Sequence, residues 1–256
     1  MKKTFIVIVN FNSKKDILKC LHSLRYERAE IIVVDNKSSD DSIEAIKSKF
    51  KQVKILENEK NIGFAAASNK GIRYALRKKA DYVLLLNPDT IVEKNFLSSL
   101  LKKKADIISP VIKFKRQGEW VYDFGGRVNF LIGRTTHLEK SVLSKRTNLV
   151  DYVSGCCMLI KKEVFEKMGF LDERYFMFFE DVDFCLRAKK SDFKIKVDSS
   201  VTIFHNLSEG REKSLKCHLW MLKSNFIFIN KWLKFYKKPL AYFYLFLLWV
   251  KILVNK

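Results

Sequence analysis

The sequence has none of the glycine-rich signatures of the common nucleotide-binding folds. It contains no G-x-G-x-x-G and no Walker sequence, which disfavours a dinucleotide-dependent enzyme and a P-loop ATPase. Its five cysteines are odd in number and show no C-x-x-C spacing, so we expect reduced core thiols in a cytosolic protein. The apolar run 240–250 has eleven residues, fewer than the ~20 needed to span a bilayer.

Acidic residues are also scarce, with 28 against 49 basic residues among 256, for a formal net charge of +21. This excess favours an anionic partner: nucleic acid, an anionic membrane surface or a phosphorylated ligand. A hydrophobic fraction of 48% excludes a disordered chain and a polytopic membrane protein. The first residues mimic a signal peptide, but the apolar run Phe5–Val9 is too short for one and predicts a first strand.

The stretch Tyr82–Leu86 is a continuous apolar run that ends abruptly at Asn87, Pro88 and Asp89. Such a run is typical of a strand buried on both faces of a parallel sheet. Pro88 ends the strand, because proline cannot donate to a ladder and disfavours helix at the residue before it. We therefore expect the Asp89 carboxylate at the C-terminal edge of a sheet, where open α/β folds bind ligands. Taken alone, the three residues could simply turn the chain.

Four apolar segments alternate with helical patterns in the first 86 residues. Predicted strands at 5–9, 31–34, 53–56 and 82–86 favour a doubly wound parallel sheet. Singly, a polar residue after a strand is more often a helix cap, but several at one edge favour a nucleotide-sized ligand. The polar residues at these strand ends are Asn10, Asn12, Asp35, Asn61, Asn87 and Asp89.

From about 110 to 150 the periodicity fades, and Gly125-Gly126 and Gly133 predict irregular hairpins. Residues 152–160 predict another central strand, in which Gly155 allows the close approach of a ligand or of backbone. Two further strands are predicted at 194–197 and 201–204.

An aromatic run before Glu180, Asp181 and Asp183 predicts carboxylates at the lip of an apolar pocket. Acids also complement a helix N-terminus, so Glu180 and Asp183 could cap a helix while Asp181 faces the pocket. A lone histidine after a strand, as at His205, is more often an ordinary residue than a ligand.

The C-terminal part is basic and aromatic. From Arg211 onward it carries ten basic residues and one acid, and it contains the apolar run 240–250. This composition predicts an interfacial helix, with aromatic rings at the headgroup level and lysines facing anionic lipid. Packing of the run on the catalytic domain or on a second subunit is the alternative.

Seven segments resemble, in order, those of the family 2 glycosyltransferases, especially the rhamnosyltransferase-like branch. They cover roughly residues 4–210. The resemblance implies a GT-A fold for residues 1–210, which is Rossmann-like with a mainly parallel central sheet flanked by helices, and a C-terminal helical, basic-aromatic extension at 211–256. The segments are Ile8–Asn12, Val33–Asp40, Asn61–Asn69, Leu85–Thr90, Ser154–Met158, Phe179–Arg187 and His205.

The resemblance also implies a function. A member would transfer rhamnose or another hexose, with inversion, from a dTDP- or UDP-sugar to a hydroxyl of a glycan or lipid-linked acceptor. It would act in the synthesis of cell-surface polysaccharide or lipid-linked glycan. We expect it in the cytoplasm, peripheral at the inner face of the cell membrane, in contact with anionic lipid and without nucleic acid. A homodimer is left open.

By position, the resemblance implies roles for individual residues. Asp181 matches the catalytic base, and Asp35 the aspartate that recognises the nucleotide base. Asp89 matches the last residue of the family's D-x-D metal motif, and His205 matches a histidine that completes the site for Mn²⁺ or Mg²⁺. Asn87 stands where the older form of the motif has its first aspartate. The expected substrate-binding residues are Asn10, Asn12, Asp35, Asn61, Gly63, Asn87, Ser154, Gly155, Glu180 and Arg187.

These roles are chemically reasonable. A divalent metal would neutralise the departing nucleoside diphosphate, and a positioned carboxylate would take the proton of the attacking hydroxyl. The apolar wall of Phe176, Phe178 and Phe179 is expected to raise the pKa of Asp181. Two other classes remain: a basic nucleic-acid-binding protein, for which no recognition-helix, zinc-finger or RNP-like pattern is present, and a sugar-nucleotide-binding protein without catalysis.

Overall fold

The computed structural model describes residues 2–140, 150–206 and 214–254. Strands and helices alternate through the first half of the chain, and helices dominate its end. Within the described residues the strands are β1 Thr4–Asn10, β2 Glu30–Asp35, β3 Lys54–Glu57, β4 Tyr82–Leu86, β5 Thr90–Ile91, β6 Ile107–Arg116, β7 Glu119–Asn129, β8 Arg134–Lys140, β9 Cys157–Lys161 and β10 Ile195–His205. The helices are α1 Lys14–Ser23, α2 Ser42–Lys49, α3 Phe64–Arg77, α4 Phe96–Leu101, α5 Lys162–Met168, α6 Glu180–Lys190, α7 Leu215–Trp232 and α8 Lys238–Val254.

The first four long strands form the predicted parallel half of the sheet, in the order β3-β2-β1-β4. The register places Asn10 beside Asp35 and Ile8 beside Leu86. Because parallel strands end at the same edge, the polar residues that follow β1, β2 and β4 meet there, as predicted.

The other half of the sheet is mixed. Strand β9 lies antiparallel between β4 and β6, while β10 runs parallel to β6 and antiparallel to the short β5. The predicted strand at 152–160 is central but begins only at Cys157, and Tyr152 instead makes an isolated bridge to Gly126. The two strands predicted at 194–197 and 201–204 are one strand, β10, with a register shift between Asp198 and Thr202.

The hairpins predicted after residue 110 are present up to residue 140. Strands β6, β7 and β8 form an antiparallel meander, and its irregularity lies at Gly126 in β7, where the register shifts. The signal was weak because β8 is half-exposed and carries charged residues along its length, so hydrophobic alternation does not mark it. The remainder of that predicted region, 141–149, lies outside the described residues.

Side chains alternate along the central strands and build a core on each face of the sheet. Phe5 and Val7 join one apolar cluster, whereas Ile6 and Ile8 join the other. Helices α3, α5, α6 and α7 cover the first face, and α1, α2 and α4 cover the second. Cys20, Cys156, Cys157 and Cys185 are unpaired and buried, which agrees with the prediction of reduced core thiols.

The C-terminal helices continue this core. Phe228 and Ile229 of α7 are fully buried in the same cluster as the sheet, and α8 packs along α7 through Ala241 and Tyr242. The predicted domain boundary at 210/211 falls in 207–213, outside the described residues. Over the part of the chain that is described, no helix is both long and apolar enough to cross a bilayer.

Candidate active site

A cavity of about 420 Å³ opens between the C-terminal edge of the sheet and the meander β6–β8. The cavity is lined by the residue that follows β4, by the segment before β9 and by the N-terminus of α6. It collects six of the residues predicted as site residues: Asn87, Ser154, Gly155, Glu180, Asp181 and His205. A larger cavity, about 640 Å³, is lined by α1, α2 and β5 and contains none of the predicted residues.

Asp181 lies at the start of α6, with both carboxylate oxygens held by backbone. The N–H of Gly155 donates to Oδ2 and the N–H of Val182 donates to Oδ1, each at 2.8 Å. Burial raises the pKa of Asp181, while these two N–H groups and the charge of His137 oppose the rise. The carboxylate is therefore fixed in place, and a second lone pair on each oxygen is left for a ligand.

Glu180 is buried beside Asp181 in a different environment. The residue is 6% exposed, and its Oε2 has no hydrogen-bond partner among the described residues. Burial and the charge of Asp181 raise the pKa of Glu180 well above its ordinary value, which favours the protonated form. Two neighbouring carboxyls whose environments separate their pKa values are typical of an acid and a base with distinct roles. The capping role considered for Glu180 is not observed, because no side chain caps α6.

The backbone before α6 is strained. Phe178 and Phe179 both adopt left-handed φ angles, +70° and +67°, which bulky residues rarely do. Helix α7 holds this segment: Ser224 donates to the Met177 carbonyl at 2.8 Å, and Phe228 packs on Phe179 at 5.1 Å. Strain of this kind persists only where the surrounding structure enforces it, and it tends to cluster at functional sites.

Asp89 and His205 meet although they are far apart in the sequence. His205 Nε2 lies 3.0 Å from Asp89 Oδ1. The contact follows from the pairing of β5 with β10, which places Thr90 beside His205. Burial opposes the charged imidazole, but the neighbouring Cys156 and Asp89 raise the pKa of His205 well above its ordinary value. The expected proximity is observed, and the metal-binding role of the pair stays a prediction.

Asp35 lies in a hydrogen-bond cluster at the ends of β1 and β2. Its Oδ1 accepts from the Asn10 amide at 2.9 Å and the Ser38 hydroxyl at 2.6 Å, and its Oδ2 accepts from the Ser38 N–H. Asn10 also donates to Ser42 at 2.8 Å, and the nearby Asn12 accepts from the N–H of Ser39. These predicted substrate-binding residues thus shape the β1 and β2 loops and lie apart from the Asp181 cavity.

This cluster makes Asp35 part of the fold as well as a candidate for base recognition. We predict that Asp35→Ala lowers the melting temperature, because the buried Asn10 amide loses an acceptor, at a cost of about 1–3 kcal/mol. If Asp35 also binds the nucleotide base, the same change weakens the binding of UDP or dTDP, measured by titration calorimetry. Ser42→Ala is the control: it removes another partner of Asn10 and keeps the carboxylate. Equal nucleotide affinity in Asp35→Ala and the parent would rule out base recognition.

Asn61 and Gly63 shape the loop before α3. Asn61 Oδ1 accepts from the Gly63 N–H at 2.9 Å. Gly63 has φ +86°, and a Cβ there would lie 2.5 Å from the carbonyl oxygen of Phe176, so only glycine fits. The N–H of Phe64 donates to the same carbonyl at 2.7 Å. The loop therefore fixes the strained segment before α6, and neither Asn61 nor Gly63 lines the cavity.

Arg187 is not brought to the cavity either. Its guanidinium donates to Asp183 Oδ2 at 2.9 Å and to the carbonyls of Met168 and Phe170 at 3.0 and 2.6 Å. The predicted i,i+4 pair with Asp183 is present, and it ties α6 to the loop after α5. A substrate contact by Arg187 does not agree with this position. Asp183 is fully buried and also accepts from Trp232, so it does not cap α6.

The sequence reasoning missed the meander wall of the cavity. Two strands each present every second residue to it, as the period of a strand requires. Asp123 of β7 joins them and lies 2.8 Å from His137 Nδ1, and Arg116 makes a bidentate pair with Glu139. The signal available in the sequence was the recurrence of these side chains at every second position along each strand. The lining residues are Ile112, Phe114 and Arg116 on β6 and Thr135, His137 and Glu139 on β8.

The mixed sheet and the helices that flank it form a GT-A fold, as the likeness to solved structures shows. The chain superposes on GalNAc-T7, solved with UDP, GalNAc and Mn²⁺, with a TM-score of 0.69 at 19% identity, covering 93% of this chain and 49% of that one. It also superposes on residues 1–349 of TarS from S. aureus in complex with UDP-GlcNAc, with a TM-score of 0.62 at 17% identity, covering 92% and 69%. The predicted fold is thereby confirmed.

Residues 5–169 match the family described as Glycosyl transferase family 2, and this chain belongs to that family. It is 34% identical over 208 residues to the low-salt glycan biosynthesis hexosyltransferase of Haloferax volcanii, covering 78% of this chain and 66% of that protein. It is 27% identical over 247 residues to the rhamnosyltransferase WbbL of Escherichia coli K12, covering 89% and 92%. The likeness to rhamnosyltransferases is confirmed, and a nucleic-acid-binding protein is not favoured.

Proposed function

We propose that this protein transfers a hexose, such as rhamnose, from a nucleotide-diphospho-sugar to an acceptor hydroxyl with inversion at the anomeric carbon. The observation that carries the proposal is the position of Asp181, fixed by two backbone N–H groups at the wall of the cavity. The hydroxyl oxygen bonds to the anomeric carbon as the bond to the diphosphate breaks, and Asp181 takes the hydroxyl proton. The nucleoside diphosphate leaves. The relatives' names support a role in glycan or polysaccharide synthesis.

Asp89 and His205 are the residues that would hold a divalent metal. One carboxylate and one imidazole suit Mn²⁺ or Mg²⁺ when diphosphate oxygens and water complete the coordination. Among the described residues no group of three or more His, Cys, Asp or Glu side chains could hold a metal, so such a metal would depend on the donor for part of its shell. When bound, it would neutralise the charge of the departing diphosphate. Asn87, at the cavity wall, would contribute a neutral amide where an aspartate is common.

A donor screen tests the proposed function. The full chain is incubated with UDP-, dTDP- and GDP-sugars, each with Mn²⁺, Mg²⁺ or EDTA, and nucleoside diphosphate release is measured. We expect slow hydrolysis of one pyrimidine donor that EDTA abolishes and that Asp89→Asn lowers. Release of nucleoside diphosphate that EDTA does not affect would contradict the proposed metal dependence but not the transferase activity. No binding or hydrolysis of any donor would contradict the transferase activity and favour a protein of another function.

We further propose that α8 places the enzyme on an anionic membrane surface, at the inner face of the cell membrane. Phe243 and Phe246 are 58% and 54% exposed, and Leu240, Leu247 and Trp249 are also exposed. Exposed lysines at 234 and 251 flank this apolar face, as in helices that lie in a lipid interface. The opposite side of α8 packs on α7, so the alternative of packing on the catalytic domain accounts for one side of the helix only.

Substitution on the exposed face of α8 tests membrane contact better than deletion, because deletion would expose the buried surface of α7. We predict that Phe243→Gln with Leu247→Gln lowers binding to vesicles of phosphatidylglycerol at least about tenfold, since each side chain would otherwise be withdrawn from water. Donor hydrolysis should not change. The control is Tyr26→Gln, which changes an exposed aromatic residue far from α8 in the sequence. Unchanged vesicle binding together with a loss of dimer in sedimentation would instead assign this face to a second subunit.

A further inference from the structure

The cavity has a second polar wall, which the proposed chemistry does not use. It is formed by the hairpin β7–β8, where a register shift between Asp123 and Gly126 accompanies a side-chain contact between Asp123 and His137. Asp123 is 6% exposed, and its Oδ1 is fixed by the Gly125 N–H at 2.9 Å. Its Oδ2 is therefore a rigid acceptor for the histidine ring.

His137 is held on two sides and open on a third. Nδ1 lies 2.8 Å from Asp123 Oδ2, and the ring meets Tyr152 edge-on, with centroids 5.4 Å apart at 83°. Because a carboxylate only accepts, Nδ1 carries the proton and Nε2 is the nitrogen left for a ligand. The side chain is 41% exposed and lines the cavity. Asp123, Asp181 and Glu139 all raise the pKa of His137 against the effect of its burial.

An unsatisfied group lies in the same cavity. Glu180 Oε2 is buried and finds no hydrogen-bond partner in the described parts of the chain, whereas buried polar atoms usually have one. A ligand with hydroxyl groups could satisfy Glu180 and His137 together, since a hydroxyl both donates and accepts. The volume of about 420 Å³ lies within the range of small-molecule sites, and aromatic rings of Phe178 and Tyr152 supply apolar surface.

We propose that His137, oriented by Asp123, binds a hydroxyl of an acceptor sugar and holds that sugar against Asp181 and Glu180. This inference rests on the proposed function and assigns the acceptor side of the cavity to the meander. Neutral His137 accepts a hydrogen bond from the hydroxyl at Nε2, and the charged ring donates a hydrogen bond there instead. His137 thus contacts the acceptor, while Asp123 acts through it as a positioning residue.

The test compares two substitutions that keep different halves of the imidazole. In His137→Asn the side-chain amide reaches the place of Nδ1 and keeps a hydrogen bond to Asp123. In His137→Gln the amide reaches the place of Nε2. Octyl glycosides of several hexoses are the acceptor probes, and donor consumption is measured with and without them. We expect His137→Asn to raise the KM for the glycoside about 10- to 100-fold, as for a hydrogen bond to a charged group. His137→Gln should recover most of this loss.

Affinity for the donor nucleotide is the readout that a merely structural role would change, and it should be equal in parent and variants. Thr136→Ala is the matched control, because its side chain lies on the other face of β8. An unchanged KM in His137→Asn, or a parallel loss of nucleotide affinity, would overturn the proposal. Failure of the parent to respond to or bind any glycoside would also overturn it, while hydrolysis of the donor would still support the proposed function.

Discussion

Asp181→Asn should lower sugar transfer by about 10²–10⁴-fold while the affinity for the donor nucleotide stays within about twofold of the parent. The amide keeps the shape of the side chain and can still accept from one of the two N–H groups that hold the carboxylate. It cannot take the proton of the attacking hydroxyl. Single-turnover transfer and nucleotide titration, performed on the same preparation, measure the two effects separately.

Glu180→Gln is the matched control for this change. The environment of Glu180 favours its protonated form, so a neutral amide of the same shape imitates the state that is already present. We expect a loss of less than about tenfold, well below that of a lost general base. A reversed order, with Glu180→Gln inactive and Asp181→Asn normal, would make Glu180 the base. Normal turnover in both variants would show that the carboxyls are structural.

The pH dependence of transfer follows from the same environment. A base must be ionised, and burial raises the pKa of Asp181, so transfer should rise with pH through a pKa above the ~3.9 of a free aspartate. The rising limb should be absent from the residual activity of Asp181→Asn. A limb that persists in the variant would belong to another group. Parallel profiles of donor hydrolysis and transfer, recorded from pH 4 to 8, identify which step titrates.

The parallel half of the sheet could be predicted because its strands are continuous apolar runs that stop at polar residues. Tyr82–Leu86 is buried on both faces and ends where the sequence indicated. The meander could not be predicted in the same way, because one face of β8 is exposed to solvent and charged residues lie on both of its faces. Its cavity residues follow only from the three-dimensional structure, in which the side chains of Asp123 and His137 meet across β7 and β8.

The contacts of the site residues could be predicted only in part, because contacts between distant segments leave no local pattern in the sequence. The meeting of Asp89 and His205 was expected from the family resemblance, and the pairing of β5 and β10 explains it. Arg187 was assigned to substrate from the family resemblance, and its carbonyl partners could not be predicted because they come from a segment with no motif of its own. The partners of Asp183 on α7 lie up to 49 residues away, a distance over which sequence pattern carries no local signal.

Asp183→Ala should destabilise the fold by about 3–5 kcal/mol, the cost of removing one partner from a buried ion pair. Asp183 is fully buried and accepts from three donors: Arg187 at 2.9 Å, Trp232 at 2.8 Å and Lys231 at 2.7 Å. The first donor belongs to α6 and the other two to α7, so this carboxylate joins the helix that carries Asp181 to the helix that holds the strained segment before it. Without it, Arg187 loses its carboxylate partner in the interface, while Lys231 keeps its contact with Asp172.

The expected measurement is a fall in melting temperature of about 2–4 °C for each kcal/mol, and thus of roughly 6–20 °C. Glu166→Ala on α5 is the control, because it removes the same charge from an exposed position and should change the melting temperature little. Because α7 also supports Met177 and Phe179, transfer at a temperature where the variant is folded should fall as well. A variant as stable as the control would mean that α7 is held mainly by the apolar packing of Phe228 and Ile229, and that the ionic contact adds nothing to it.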